Sequence, residues 1–144
     1  MTKYNCDINE ELRRNTANAF LNVGIYCNKY DKQIQTESIL FSCDAFELYL
    51  KALIVRETNK PAIGHDLAAL YDQIPPSIRN VVENQFKNKC KYPVSLSETL
   101  EIHKKAFENW RYIFEGKNKE SEAYPDNLIL AAEVLRDELN RNKN

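Results

Sequence analysis

One stretch, Thr36 to Glu57, constrains this chain more than any other, because TESILFSCDAFELYLKALIVRE is apolar on nearly every side of a helix. At about 100° per residue, Ile39, Cys43, Phe46, Leu50 and Leu53 form one stripe, and Phe41, Ala45, Leu48 and Ala52 form a second on the far side. Such a helix needs cover on both faces. Either it is the central helix of a bundle, or one face meets neighbouring helices and the other meets a second copy of the chain. Asp44, Glu47 and Lys51 leave only a narrow polar strip, with Glu47 and Lys51 in the favourable i,i+4 order.

The remainder of the 144 residues reads as helical too. With three Gly, five Pro and 28% charged residues, and no run of alternating β-branched residues, the chain is expected to be all-α. Its length suits a single domain over 1–144, an up-and-down bundle of about five to six helices. Asp7 caps a first helix to about Lys32, whose expected buried side is Ile8, Leu12, Ala19, Val23, Tyr26 and Tyr30, with Glu11, Arg14, Asn18 and Asn28 on the surface. The short link DKQIQ then makes the first two helices antiparallel neighbours.

Asp66 caps a cross-piece of about two turns that turns Leu67, Leu70, Tyr71 and Ile74 inward. Pro75 and Pro76 stop it and open the next helix, which buries Ile78, Val81, Val82 and Phe86. Ser95 and Glu98 stand in capping-box spacing ahead of a helix closed by Gly116. Leu96, Leu100, His103, Phe107, Trp110 and Phe114 recur along it in steps of four and three, a seam that makes it the natural partner of the central helix. Pro125 and Asp126 start a last helix with Leu128, Ala131, Ala132, Leu135 and Leu139 on one side.

Twenty basic and 21 acidic side chains give a net charge of -1, so no global field recruits nucleic acid or a membrane surface, and any such contact is local. Cys6, Cys27, Cys43 and Cys90 contain no CxxC pair and read as buried free thiols of a reducing cytoplasm, with no metal site. The first residues lack a signal-peptide core, and no run approaches the ~20 apolar residues a membrane span needs. A soluble, unprocessed, cytoplasmic protein is expected. Gly24, Gly64 and Gly116 stand alone, so no Gly-rich phosphate loop exists, no GxSxG motif occurs, and no cofactor is expected.

Few residues are candidates for chemistry. Arg111 lies at the margin of the fifth-helix seam, where it either pairs locally with Glu108 and Glu115 or reaches Glu47 on the central helix. His103 falls within the seam, as a hydrogen-bonded core histidine or a catalytic candidate. His65 precedes the cap of the short helix, where it either covers the helix end or contacts a phosphate. Lys87, Lys89 and Lys91, with Lys104 and Lys105, are either solvated or a local phosphate-binding patch.

CDAFELYLKALIV, then GHDLAALYDQIP, then AFENWRYIFE resemble HEPN-domain proteins, small prokaryotic helical bundles with a similar E-x-x-LK-A-L helix, G-H-D-L turn and W-R-Y-x-x-E helix in this order. The resemblance spans about Thr36 to Gly116. It implies a bundle that usually dimerises, in a family holding RNases of toxin–antitoxin and phage-defence systems beside non-catalytic members that bind nucleotides or partners. Catalytic members carry an Arg, four to six residues, then a His; here the corresponding positions after Arg111 are Gly116, Lys117 and Asn118. The RNase site therefore does not carry over, because metal-free RNA cleavage needs a His to move a proton and an Arg to hold the phosphate.

The expectation is a HEPN-like homodimer that binds a nucleotide, an RNA or a protein partner such as an antitoxin, and is not an efficient catalyst. Glu47, Lys51, His65, Arg111 and Glu115 form its expected ligand face. One alternative is a metal-free endoribonuclease using Arg111 with His65 or His103; another is a purely regulatory dimerising bundle. A charged strip open to solvent favours a ligand, and a sealed one favours the regulatory bundle.

Overall fold

The computed structural model describes residues 6–30, 35–103 and 125–141. The protein is an all-α bundle, with no strand among these residues: α1 is Cys6–Tyr30, α2 Gln35–Thr58, α3 Leu67–Asp72 and α4 Pro76–Lys89. A fifth helix, α5, is described over 96–103, and α6 spans Pro125–Arg141. No helix among the described residues is long and apolar enough to cross a membrane.

Of the two arrangements open to the doubly apolar helix, the chain adopts the central one. Ile39, Cys43, Phe46, Leu50 and Leu53 are all buried, as are Ala45 and Ala52 of the second stripe, while Phe41 and Leu48 are half-buried. Cover comes from α1, α3 and α6. Asn18 meets Tyr49 and Gly24 meets Ser38, so α1 and α2 run antiparallel. Cys43 packs with Leu128 while Arg56 reaches Leu139, so α6 runs parallel to α2. Part of the expected fifth-helix partnership lies outside the described residues: Leu96, Leu100 and His103 are buried, and Phe107, Trp110 and Phe114 are not among those described.

The buried side of α1 is the reverse of the expected one. Leu12 is 63% exposed, Val23 43% and Tyr26 61%, whereas Ala17, Leu21, Gly24 and Cys27 are buried and Arg14, Asn18 and Asn28 half-buried. The reason is close approach. The Ser38 hydroxyl donates to the Gly24 carbonyl at 2.8 Å, and a Cβ on Gly24 would lie 2.6 Å from the Ser42 Oγ, so small residues rather than bulky ones define the crossing. Beside it, Asn18 accepts from the Tyr49 hydroxyl, and Asn28 donates to Asp126 at 2.7 Å. Burial pushes the Tyr49 hydroxyl up to about 12, with Asp137 and Glu133 adding and Arg136 opposing.

Polar groups close the helix ends. Asn59, at φ 53, ends α2 by donating its N–H to the Val55 carbonyl. Arg56 donates to the carbonyls of Glu138 and Leu139 at the end of α6, and its guanidinium and that of Arg141 flank the buried Glu138 carboxylate. Ser95 and Glu98 form the expected capping box on α5, but a further cap comes from α4. Glu83 accepts from the Leu96 and Ser97 amides at 3.1 Å each, from the Ser97 hydroxyl at 2.6 Å and from the Tyr71 hydroxyl at 3.0 Å. Burial, and then the neighbouring Glu83 carboxylate, push the Tyr71 hydroxyl far above its ordinary value, so it serves as a permanent donor.

Candidate functional site

Three of the expected ligand residues meet at one place. Glu47 and Lys51 lie one turn apart on α2, 3.8 Å between their charged atoms, and both side chains are half-buried. The chain leaves α2 at Asn59, and Gly64, at φ 107 in a conformation that side chains disfavour, carries it back over the helix. That turn brings His65 Nδ1 to 3.0 Å from Glu47 Oε1. The His65 side chain is nevertheless 81% exposed, so the strip is closed along α2 and opens to solvent at the imidazole.

With Glu47 ionised, the contact puts a proton on Nδ1, which donates to the carboxylate. Nε2 then has no partner among the described residues. A carboxylate that orients an imidazole in this way leaves a nitrogen able to accept a proton or donate one to a ligand. Lys51 adds a cation on the other side of Glu47.

The phosphate expected at the start of α3 has no place there. Asp66 already accepts from the Ala68 and Ala69 amides at 3.0 and 3.1 Å, and His65 is turned to Glu47 instead. Arg111 and Glu115, and with them the expected Arg111–Glu47 pair, lie outside the described residues.

His103 is sealed in the core, its Nδ1 donating to the Thr99 carbonyl at 2.7 Å. Burial holds its pKa below the ordinary value despite that hydrogen bond, so the ring is neutral and structural. As a catalytic candidate it is therefore corrected: no solvent reaches it.

Cys27 and Cys43 are buried free thiols and Cys90 is a half-buried one. Burial raises the Cys43 thiol far above its ordinary value, with Asp44 and Glu47 adding. Among the described residues no group of three or more His, Cys, Asp or Glu side chains forms a metal site. Lys89, part of the expected basic patch, is held 3.6 Å from Asp137, while Lys87 and Lys91 remain at the surface. Glu83, the residue that ties α3, α4 and α5 together, gave one sequence signal: a carboxylate next to Val82 and one turn from Phe86, at the edge of an apolar face. No family model, curated protein or solved structure matches this chain.

Proposed function

We propose that this chain is a HEPN-like helical domain that binds a nucleotide, an RNA or a protein partner at the face opened by His65, and that it does not turn over substrate efficiently. The observation that carries the reading is the Glu47–His65 contact. Two residues 18 positions apart are brought together, yet the imidazole remains 81% exposed and buries little of itself in return. With Nδ1 held by Glu47, Nε2 meets a ligand as an acceptor on the neutral ring and as a donor on the protonated ring, the form that takes a phosphate or a carboxylate. The absence of His at the positions after Arg111 supports binding over catalysis.

The domain acts as a homodimer in this reading. Leu12, Thr16, Ala19, Val23 and Tyr26 recur in steps of four and three along the exposed side of α1, an apolar seam in a chain of near-zero net charge. An antiparallel second copy brings Glu11 near one end of the seam toward Lys29 near the other, whereas a parallel copy sets like charge against like.

The test incubates the purified protein with mixed RNA in chelator and reads retention and cleavage together. The expected result is RNA retained intact, with retention weakened in His65→Ala. Intact RNA and nucleotide left unbound by the wild type contradict the nucleotide and RNA reading and leave a protein partner. The oriented imidazole also favours a second reading, the metal-free endoribonuclease. Cleavage by the wild type and not by His65→Ala establishes it in place of the first.

A further inference from the structure

The corner between α4 and α5 holds a cleft of about 640 Å³, within the size range of small-ligand sites. Asn84 and Lys87 line it from α4, Lys91, Tyr92 and Pro93 from the turn, and Glu98 from the start of α5. Its lining carries two lysines, Lys87 and Lys91, and two carboxylates, Glu83 and Glu98, of which Glu98 is engaged in the capping box with Ser95. Lys89, between the two lysines in sequence, is paired with Asp137, but neither Lys87 nor Lys91 makes an ion pair among the described residues. A lysine in the last turn of α4 complements the negative end of that helix; Lys91 lies beyond the helix and has no such reason.

Beside the two lysines, Tyr92 is 58% exposed and followed by Pro93, a flat apolar surface that the core does not use. Cations flanking an exposed aromatic ring are the arrangement by which proteins hold a nucleotide, the ring stacking on the base and the cations taking the phosphate. The amide ends of α5 do not compete for the phosphate, because Leu96 and Ser97 already donate to Glu83. The same four hydrogen bonds spread the Glu83 charge, which otherwise repels an anion. Asn84 supplies a donor and an acceptor for a base edge.

We infer that this cleft binds a nucleoside phosphate, free or as one unit of an RNA strand, with Lys87 and Lys91 on the phosphate and Tyr92 stacked on the base. It shares no residue with the Glu47–His65 cluster and does not rest on the function proposed above.

Cys90 lines the same cleft and is half-buried while Cys27 and Cys43 are buried, so its alkylation reports occupancy. The experiment labels the full-length protein with a thiol alkylator, with and without adenosine monophosphate, oligoadenylate, adenosine or inorganic phosphate, and reads Cys90 by peptide mass spectrometry. Adenosine monophosphate is expected to slow labelling of Cys90 more than adenosine or phosphate does. In Lys87→Gln and Lys91→Gln the concentration needed should rise roughly tenfold for each lysine lost. Tyr92→Ala should weaken protection.

Stronger protection by oligoadenylate than by the mononucleotide assigns the site to RNA; equal protection assigns it to a free nucleotide. Four results overturn the inference. Neither nucleotide nor oligonucleotide protects Cys90; protection survives loss of both lysines; phosphate alone protects as well as the nucleotide; or His65→Ala abolishes protection, which places the ligand at the other site.

Discussion

Single residues divide here into those that hold the bundle together and those that do not. Glu83 belongs to the first kind, since its carboxylate satisfies two amides and two hydroxyls from two other helices, α3 and the start of α5. Glu83→Ala orphans them, and chemical denaturation should show a loss of about 2 to 3 kcal/mol. Tyr71→Phe should cost about 1 kcal/mol, and the double variant less than the sum of the two, because both act through one hydrogen bond.

His103 makes a pH-dependent contribution. Its folded pKa lies below the ordinary 6.5, so the unfolded chain binds the proton first and stability falls as pH drops through 6.5 toward the lowered value. Between about pH 7 and pH 5 the wild type should therefore lose melting temperature that His103→Gln does not lose. Such roles were only partly legible beforehand. His103 stood in a helical seam and could be placed, but the Glu83 partners are scattered along the chain and no spacing rule joins them.

At the scale of helices, the Ile39 to Leu53 stripe of α2 could be read because bulky residues mark it, whereas Tyr49, Ile54 and Val55, in neither expected stripe, are buried as well. On α1 the same method chose the wrong face. Hydrophobicity ranks Leu12, Val23 and Tyr26 above Ala17 and Gly24, but the crossing with α2 is decided by how near two backbones can come. Gly24→Ala should therefore destabilise the protein despite alanine's better helix propensity, since the added carbon would meet Ser42 Oγ at 2.6 Å. Ser42→Ala alone should be neutral or stabilising, because that buried hydroxyl has no hydrogen-bond partner among the described residues. The two changes together should cost less than Gly24→Ala alone. Equal costs of Gly24→Ala in both backgrounds, measured by thermal melting, would falsify this account of the crossing.

For the whole molecule, the exposed face of α1 is the one on which the proposed dimer rests. Val23→Glu places a charge in the middle of the exposed seam without touching the core, so it should convert dimer to monomer in light scattering while helicity is kept. A wild type that stays monomeric at high concentration removes the dimer. The candidate face was half legible: Glu47, Lys51 and His65 could each be singled out, but their meeting depends on the loop through Gly64 at φ 107, which no local pattern encodes.

The central claim is that His65 serves a ligand and not the fold. An exposed imidazole paired to one carboxylate contributes little to stability. The direct measurement takes RNA and nucleotide retention by His65→Ala together with its melting temperature on the same sample. The account predicts that melting stays within about 3 °C of the wild type while retention weakens roughly tenfold. A large drop in melting temperature, or retention equal to that of the wild type, would contradict it.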